Sequence, residues 1–381
     1  MLLFTIVSLA GLSSIYQYQR IITYFFIPLT LYIGFSLNNF TLTSLTNIYS
    51  RYFLGILILG VLLLGFSLNL EVAFQNLTTL AGVFLTILLT IEFLNSRKHN
   101  FTETFLISFV FAFFILAAYL FAGLGESEVD ITGAYIDRGQ FDMNANVYSY
   151  FSYFANIALF YLIQITGKKI YITLSCVCLV LGVYLSFITA SRSGILFTML
   201  IGIVYWIFIF NKFRINPLLR LLIILVLLAY GINNLYTIYN DSFLKLRVDL
   251  SVESGDSRAT LAKEAIYVFL NHPFTGVGPG QFYQYASNRT SFSHNAYTEI
   301  AANMGIVGII LLLLLMVNPI LKELKNPNKG DKAIRKLNFL FFFSFLLINN
   351  IYVFYLTTYG MIFFFIIIMI QKKNLNNTLF S

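Results

Sequence analysis

Gly305-Ile306-Val307-Gly308-Ile309-Ile310-Leu311-Leu312-Leu313-Leu314-Leu315-Met316-Val317 carries no charge and no hydroxyl. Extended to 295–318, this segment has the length and apolarity of a helix crossing a hydrocarbon core of about 30 Å. Reading outward, eleven more segments have that character. They are 1–16, 21–37, 52–68, 72–94, 101–123, 145–166, 169–189, 193–210, 218–235, 334–348 and 351–371. The last two joined would far overshoot the membrane, and Asn349-Asn350 between them predicts a hairpin turn. Composition agrees: 59% of the 381 residues are apolar and 10% charged, against about 25% charged in a soluble domain. The expected fold is all-α and polytopic, about twelve transmembrane helices forming one integral membrane domain over 1–381.

Charge tests the count. With the N-terminus inside, inner loops and flanks hold sixteen of the 24 basic residues and four acids, Glu92, Glu103, Glu323 and Asp331. The outer side holds eight basic residues and twelve acids. That bias is the topology signal of a membrane protein, so the net charge of +8 does not point to nucleic acid. An eleven-helix chain would put Lys372 and Lys373 outside; twelve helices leave both termini cytoplasmic. Residues 1–16 lack a basic n-region and a small-residue cleavage site, and read as a retained first helix. Cys176 and Cys178 point about 200° apart on a helix, so they form neither a disulfide nor a metal site. No internal repeat is visible, which weakens a transporter built on inverted repeats. Two outer segments are long: acidic 124–144, and the main extramembrane loop 236–294 between the ninth and tenth helices.

Three basic groups fall outside, each beside a membrane boundary. Arg192 stands in Thr189-Ala190-Ser191-Arg192-Ser193-Gly194, at a turn between helices. It is either a snorkelling arginine or, against the positive-inside bias, one retained for function. Arg258 opens a capped helix running to Leu270 and stopped by Asn271-His272-Pro273. It shares the stripe of Leu261, Ala265, Val268 and Phe269, so it should face the bundle, for a salt bridge to Asp256 or Glu264 or for a ligand. His294, in Ser291-Phe292-Ser293-His294-Asn295-Ala296-Tyr297-Thr298-Glu299, lies at a helix start. Unpaired N–H groups there favour anions, although a histidine in this place also serves as a cap. On one face below it, Thr298, Ala301, Gly305 and Gly308 are small enough to admit a neighbouring helix or lipid chain. Thr275-Gly276-Val277-Gly278-Pro279-Gly280 lacks the lysine of a P-loop and reads as a stiff turn or an anion nest. His272 reads as a helix-end residue. Two arginines and a histidine on one face suit a diphosphate, because the guanidinium fork matches phosphate oxygens.

These blocks, in this order, resemble the O-antigen ligase and polymerase superfamily over roughly 137–315. The carriers are Ser191-Arg192-Ser193-Gly194; Ser257-Arg258 through Asn271-His272-Pro273-Phe274-Thr275-Gly276-Val277-Gly278-Pro279-Gly280-Gln281-Phe282; and His294 to Glu299 closing on Gly305-Ile306-Val307-Gly308. A fourth block, Arg138-Gly139-Gln140-Phe141 to Asn146, departs from the family's Asn-Pro-Asn, reading Asn144-Ala145-Asn146.

The resemblance implies glycosyl transfer from an undecaprenyl-diphosphate-linked glycan on the periplasmic face of a bacterial inner membrane. It implies inversion at the anomeric carbon, with no metal and no cofactor. Arg192 and Arg258 would bind the diphosphate, and His294 would be the base or a third phosphate contact. Arg138, Asn146, Arg289, Asn295, Tyr283 and Tyr285 are further candidates. The acceptor is another lipid-linked repeat unit (polymerase) or lipid A core (ligase). The compact loop 236–294 and the Phe-, Ile- and Asn-rich composition favour the polymerase. Partners of the same pathway would be a chain-length regulator and a flippase. A flippase itself would need mid-membrane charges, whereas only Glu92 and Glu103 lie near helix interiors, at their inner ends.

Overall fold

The computed structural model describes residues 43–95, 101–122, 145–189, 191–210, 257–287 and 292–376, with Lys245. The expected helices 1–16, 21–37 and 218–235, the segment 124–144 with Arg138, the loop up to 256, and Arg289 lie outside the described residues. Among those described there are eleven α-helices and no strand. They are α1 (Ile48–Leu62), α2 (Leu70–Asn95), α3 (Phe101–Phe121), α4 (Ala145–Thr166), α5 (Lys169–Ile188), α6 (Arg192–Val204), α7 (Ser257–Asn271), α8 (Phe282–Tyr285), α9 (Ala296–Lys325), α10 (Lys332–Ile348) and α11 (Thr358–Leu375). Among the described residues, six membrane-spanning candidates follow from length and composition: α1 and α6 with their short extensions, and α2, α3, α5 and α9. The protein is an all-α polytopic membrane protein.

Helix starts follow local chemistry. Asn47 Oδ1 accepts from Tyr49 N at 3.0 Å, and Asp331 Oδ1 accepts from Ala333 and Ile334 N at 2.8 and 2.9 Å. Each side chain satisfies N–H groups that the first turn leaves unpaired.

At the centre stands α4, buried from Asn146 to Leu162 and packed against α3, α5 and α6. Its serines and tyrosines are tolerated there because neighbouring helices supply partners. Tyr153 Oη lies 2.7 Å from Ser344 Oγ, and Tyr161 donates to Asn338 Oδ1 at 2.6 Å. Such hydrogen bonds hold helices together where no water competes.

The two ends of the bundle differ. One end carries Lys168–Glu103 (3.2 Å) and Arg335–Glu323 (3.6 Å), with Glu323 also accepting from Asn338 and Gln371. The opposite end gathers the turns at 66–70, 189–192 and 349–357 with the whole of 257–287 and 292–299. Lys168, Glu103, Glu323 and Arg335 thus stand at the end away from Arg192, Arg258 and His294.

Two features differ from expectation. The hairpin after α10 does turn at Asn349-Asn350, but its second helix starts at Thr358, not 351. Residues 351–357 form instead a connection with a 3-10 turn, Phe354–Leu356, whose Phe354 and Tyr355 are buried. Tyr150, Tyr352 and Phe345 pack around Phe354, so aromatic packing outweighs continuation of the helix. The second feature is a break in α9 at Gly305, with φ 65° and ψ −161°.

Candidate functional site

At the Arg192 turn, Ser191 caps α6 by accepting from Gly194 N at 3.3 Å, and donates its own hydroxyl to Asn146 Oδ1 at 3.0 Å. Ser149 meets Thr189, and Tyr150 meets Ser193, through side-chain oxygens 3.2 Å apart. A Cβ on Gly194 would lie 2.2 Å from Ser149 Cβ. The motif Ser191-Arg192-Ser193-Gly194 is therefore clamped on the start of α4 by its small residues, which leaves Arg192 at the mouth, half-buried. Asn146 reaches this turn as a buried acceptor that holds Ser191.

Arg258 is held by different means. The α7 stripe Leu261, Ala265 and Val268 is buried against Val277, Phe282, Ala286 and Ala302, and Arg258 is half-buried. The bundle-facing side expected from spacing is the observed one. Glu264 accepts from Ser287 N at 3.2 Å; Asp256, the other suggested partner, lies outside the described residues.

Arg192 and Arg258 line the same cleft, of about 330 Å³, with Ser193, Leu196, Ala259, Ala262, Asn350 and Ile351. Two cations distant in sequence thus face one small space. The guanidinium fork matches the oxygens of a phosphate or carboxylate in such a space.

His294 faces another space. It lines a cleft of about 580 Å³ with Tyr283, Phe292, Glu299, Tyr352, Gln75 and Asn76 among its walls. The two clefts border one connection: Asn350 and Ile351 line the first, Tyr352 and Val353 the second. Asn295 Nδ2 reaches Asn350 Oδ1 at 3.5 Å, and Ala296 N donates to Asn349 O at 2.8 Å. The structure therefore brings the two arginines together and sets the histidine beside them, across that connection.

Asn295 is the cap of α9, accepting from Tyr297 and Thr298 N at 2.9 and 3.2 Å. This corrects the expectation of an anion site on free N–H groups at that helix start, because the side chain already occupies two of them. His294, just before the cap, has φ 56°, the only positive φ of a non-glycine among the described residues. Glu299, quoted in the motif but given no role from sequence, is buried. Its carboxylate accepts from Ser293 N at 2.7 Å and Asn303 Nδ2 at 2.9 Å. It thereby fixes the residue preceding His294.

The glycine loop also differs from the nest reading. Val277 N donates to Ala302 O and Gly278 N to Asn303 O, both at 3.0 Å, while Ile306 N donates to Pro273 O at 2.8 Å. In an unbroken helix Ile306 N would bond Ala302 O. The loop thus supplies the partners that the break in α9 removes, as buried backbone polar groups require. A Cβ on Gly276 would lie 2.4 Å from Asn303 C, and one on Gly305 2.4 Å from Phe274 O. Gly305 admits this loop, not the neighbouring helix or lipid chain expected there. Gln281 completes the dock by gripping Asn69, accepting from its N at 2.8 Å and donating to its O at 3.0 Å. Tyr283 Oη, nearby, accepts from Asn69 Nδ2 at 3.3 Å. His272 ends α7, its N donating to Val268 O at 3.0 Å, and Tyr285 lies edge-on to its ring.

Missed in the sequence were Asn350, Ile351 and Glu299. Asn350 was legible as a turn former only, and Glu299 as an unassigned member of its block. Among the described residues no group of three His, Cys, Asp or Glu side chains stands together.

Fold and site define a polytopic membrane protein with a two-arginine cleft at the end opposite its lysine-rich face. Residues 177–313 match the family model for O-antigen ligase, a stretch that contains the Arg192 turn, Arg258 and the His294 block. Over these residues the resemblance to the O-antigen ligase and polymerase superfamily is shown; the Arg138–Asn146 block lies outside the match. A comparison with curated proteins finds no match.

Proposed function

We propose that the protein is a polysaccharide polymerase, a membrane glycosyltransferase that takes its glycan from an undecaprenyl-diphosphate-linked donor. The observation carrying this reading is the shared cleft of Arg192 and Arg258. The diphosphate binds there, and as the glycosidic C–O bond breaks, charge grows on the leaving oxygen. Two permanently charged forks fixed by α6 and α7 stabilise that charge more than the ground state. The acceptor is the end sugar of a second lipid-linked repeat unit, held in the neighbouring cleft where Tyr283, Gln75 and Asn76 offer hydrogen bonds and Tyr352 an aromatic ring. Its hydroxyl attacks the anomeric carbon from the side opposite the diphosphate, which inverts the configuration. His294 faces that acceptor and takes the hydroxyl proton.

Energy for the new bond resides in the donor. Purified protein with lipid-linked repeat units should therefore lengthen the glycan and release undecaprenyl diphosphate without nucleotide sugar, ATP or added divalent metal. Activity with lipid A core as the sole acceptor would make it a ligase. Loss of activity in EDTA, restored by Mg²⁺, would overturn the arginine-only account of the leaving group.

A further inference from the structure

The wall of the His294 cleft includes a buried carboxylate that the proposed chemistry leaves without a task. Glu299 lines that cleft, and Asn303, also buried, stands one turn further along the same face of α9. Together they close a chain of hydrogen bonds. Ser293 N donates to Glu299 Oε2 at 2.7 Å, Asn303 Nδ2 donates to Glu299 Oε1 at 2.9 Å, and Phe282 N donates to Asn303 Oδ1 at 2.8 Å. The chain ends on backbone N–H groups of two separate segments of the cleft wall. Ser293 lies between Phe292 and His294, and Phe282 is the neighbour of Tyr283; Phe292, His294 and Tyr283 all line the cleft. Phe282 opens the four-residue helix α8, whose first N–H groups have no helical partner.

Polarity fixes what the two side chains can be. Both backbone groups donate inward, so the pair must present an acceptor at each outer end and still bond internally. A carboxylate beside an amide does this, because the carboxylate accepts twice while the amide accepts once and donates once. Two amides cannot: one of their NH₂ groups would be left facing a backbone N–H. Ser293 Oγ offers no escape. It already donates to Asn295 O at 2.9 Å and accepts from Asn295 N at 3.3 Å and Thr298 Oγ1 at 3.2 Å. A donor left unsatisfied in so buried a place is costly.

We propose that Glu299 and Asn303 are positioning residues that hold His294 and Tyr283 at the spacing the acceptor sugar needs, and that the pair requires one carboxylate and one amide, in either order. The inference rests on the reading of this cleft as the acceptor site and adds to it what sets the geometry of the cleft. Glu299 acts through Ser293 on its neighbour His294, and Asn303 acts through Phe282 on its neighbour Tyr283.

The test exchanges the two groups in the full chain, in lipid nanodiscs. Glu299→Gln keeps size and shape but makes a second amide. Combining Glu299→Gln with Asn303→Asp moves the carboxylate one turn along α9 and restores every bond: the new amide accepts from Ser293 N and donates to the new carboxylate, which also accepts from Phe282 N. Polymer formation from lipid-linked repeat units, binding of undecaprenyl diphosphate, and hydrogen exchange in α8 and at 292–295 are measured for each. Glu299→Gln should lower turnover by about tenfold or more, as expected when a buried donor loses its acceptor. Exchange should quicken in both segments, while undecaprenyl diphosphate binds as it does to wild type. The double exchange should bring turnover and protection back close to wild type. Full turnover in Glu299→Gln, or a double variant no better than the single one, overturns the proposal. Loss of undecaprenyl diphosphate binding along with turnover would make Glu299 a general prop of the fold and also overturn it. If wild type forms no polymer while exchange still loosens in the single variant and recovers in the double, the polymerase reading falls and the hold of the pair on the two segments stands.

Discussion

His294 combines an unusual backbone with a candidate chemical role. Its φ of 56° lies in the left-handed region, which costs a non-glycine residue on the order of 1 kcal/mol and persists only where the surroundings enforce it. The surroundings here are the Ser293 N–H held by Glu299 on one side and the Asn295 cap on the other. This separates backbone from ring experimentally. His294→Gly relieves the strain and His294→Ala keeps it, so the glycine variant should melt higher than the alanine variant, the strain at stake being on the order of 1 kcal/mol. Both remove the imidazole, and both should depress turnover, by about 10²–10⁴-fold if the ring is the base. Donor binding should stay near wild type in each. Collapse of donor binding would make the ring a phosphate ligand, and normal turnover in either variant would remove it from the chemistry.

At the scale of elements, the site depends on a helix that is deliberately interrupted. The α9 break at Gly305 exists to receive residues 273–280, and that dock carries α7 and hence Arg258 into place. Gly305 occupies backbone space open essentially to glycine alone, and its Cβ position is already filled by Phe274 O. Gly305→Ala should therefore detach the loop and destabilise by several kcal/mol, as large backbone conflicts do. Loss of polymer should be accompanied by new protease cleavage within 257–287; an Ala variant with native stability would refute this account of the break. Helices were legible in the sequence wherever apolar length was the determinant, as for α3 and α5. The break was not legible, because Gly305 within an apolar run reads as a small packing residue until the loop that replaces its hydrogen bonds is seen. The start of α11 escaped for a similar reason: Phe354 and Tyr355 read as more membrane helix, while they fill an aromatic core from a non-helical connection.

At the scale of the whole molecule, the segregation of ends matters most. Lysine-rich turns occupy one end and all three motif blocks the other. A reporter fused after Ser381 should accordingly behave as cytoplasmic and one inserted in 236–294 as external; an external C-terminus would contradict twelve helices. The arginines were legible as candidates because outer arginines oppose the positive-inside bias. Their convergence was not, since it depends on two separate docks, α6 on α4 and α7 on α9. That convergence is the centre of the account, and the double-mutant cycle of Arg192→Ala and Arg258→Ala tests it most directly. Polymer formation by each single variant and by the double is measured at equal protein level in the membrane. Two forks gripping one diphosphate act as a unit, so each single change should abolish most activity and the double should be scarcely worse. Losses that simply multiply, or variants that fail to insert, would mean that the two arginines do not share a ligand.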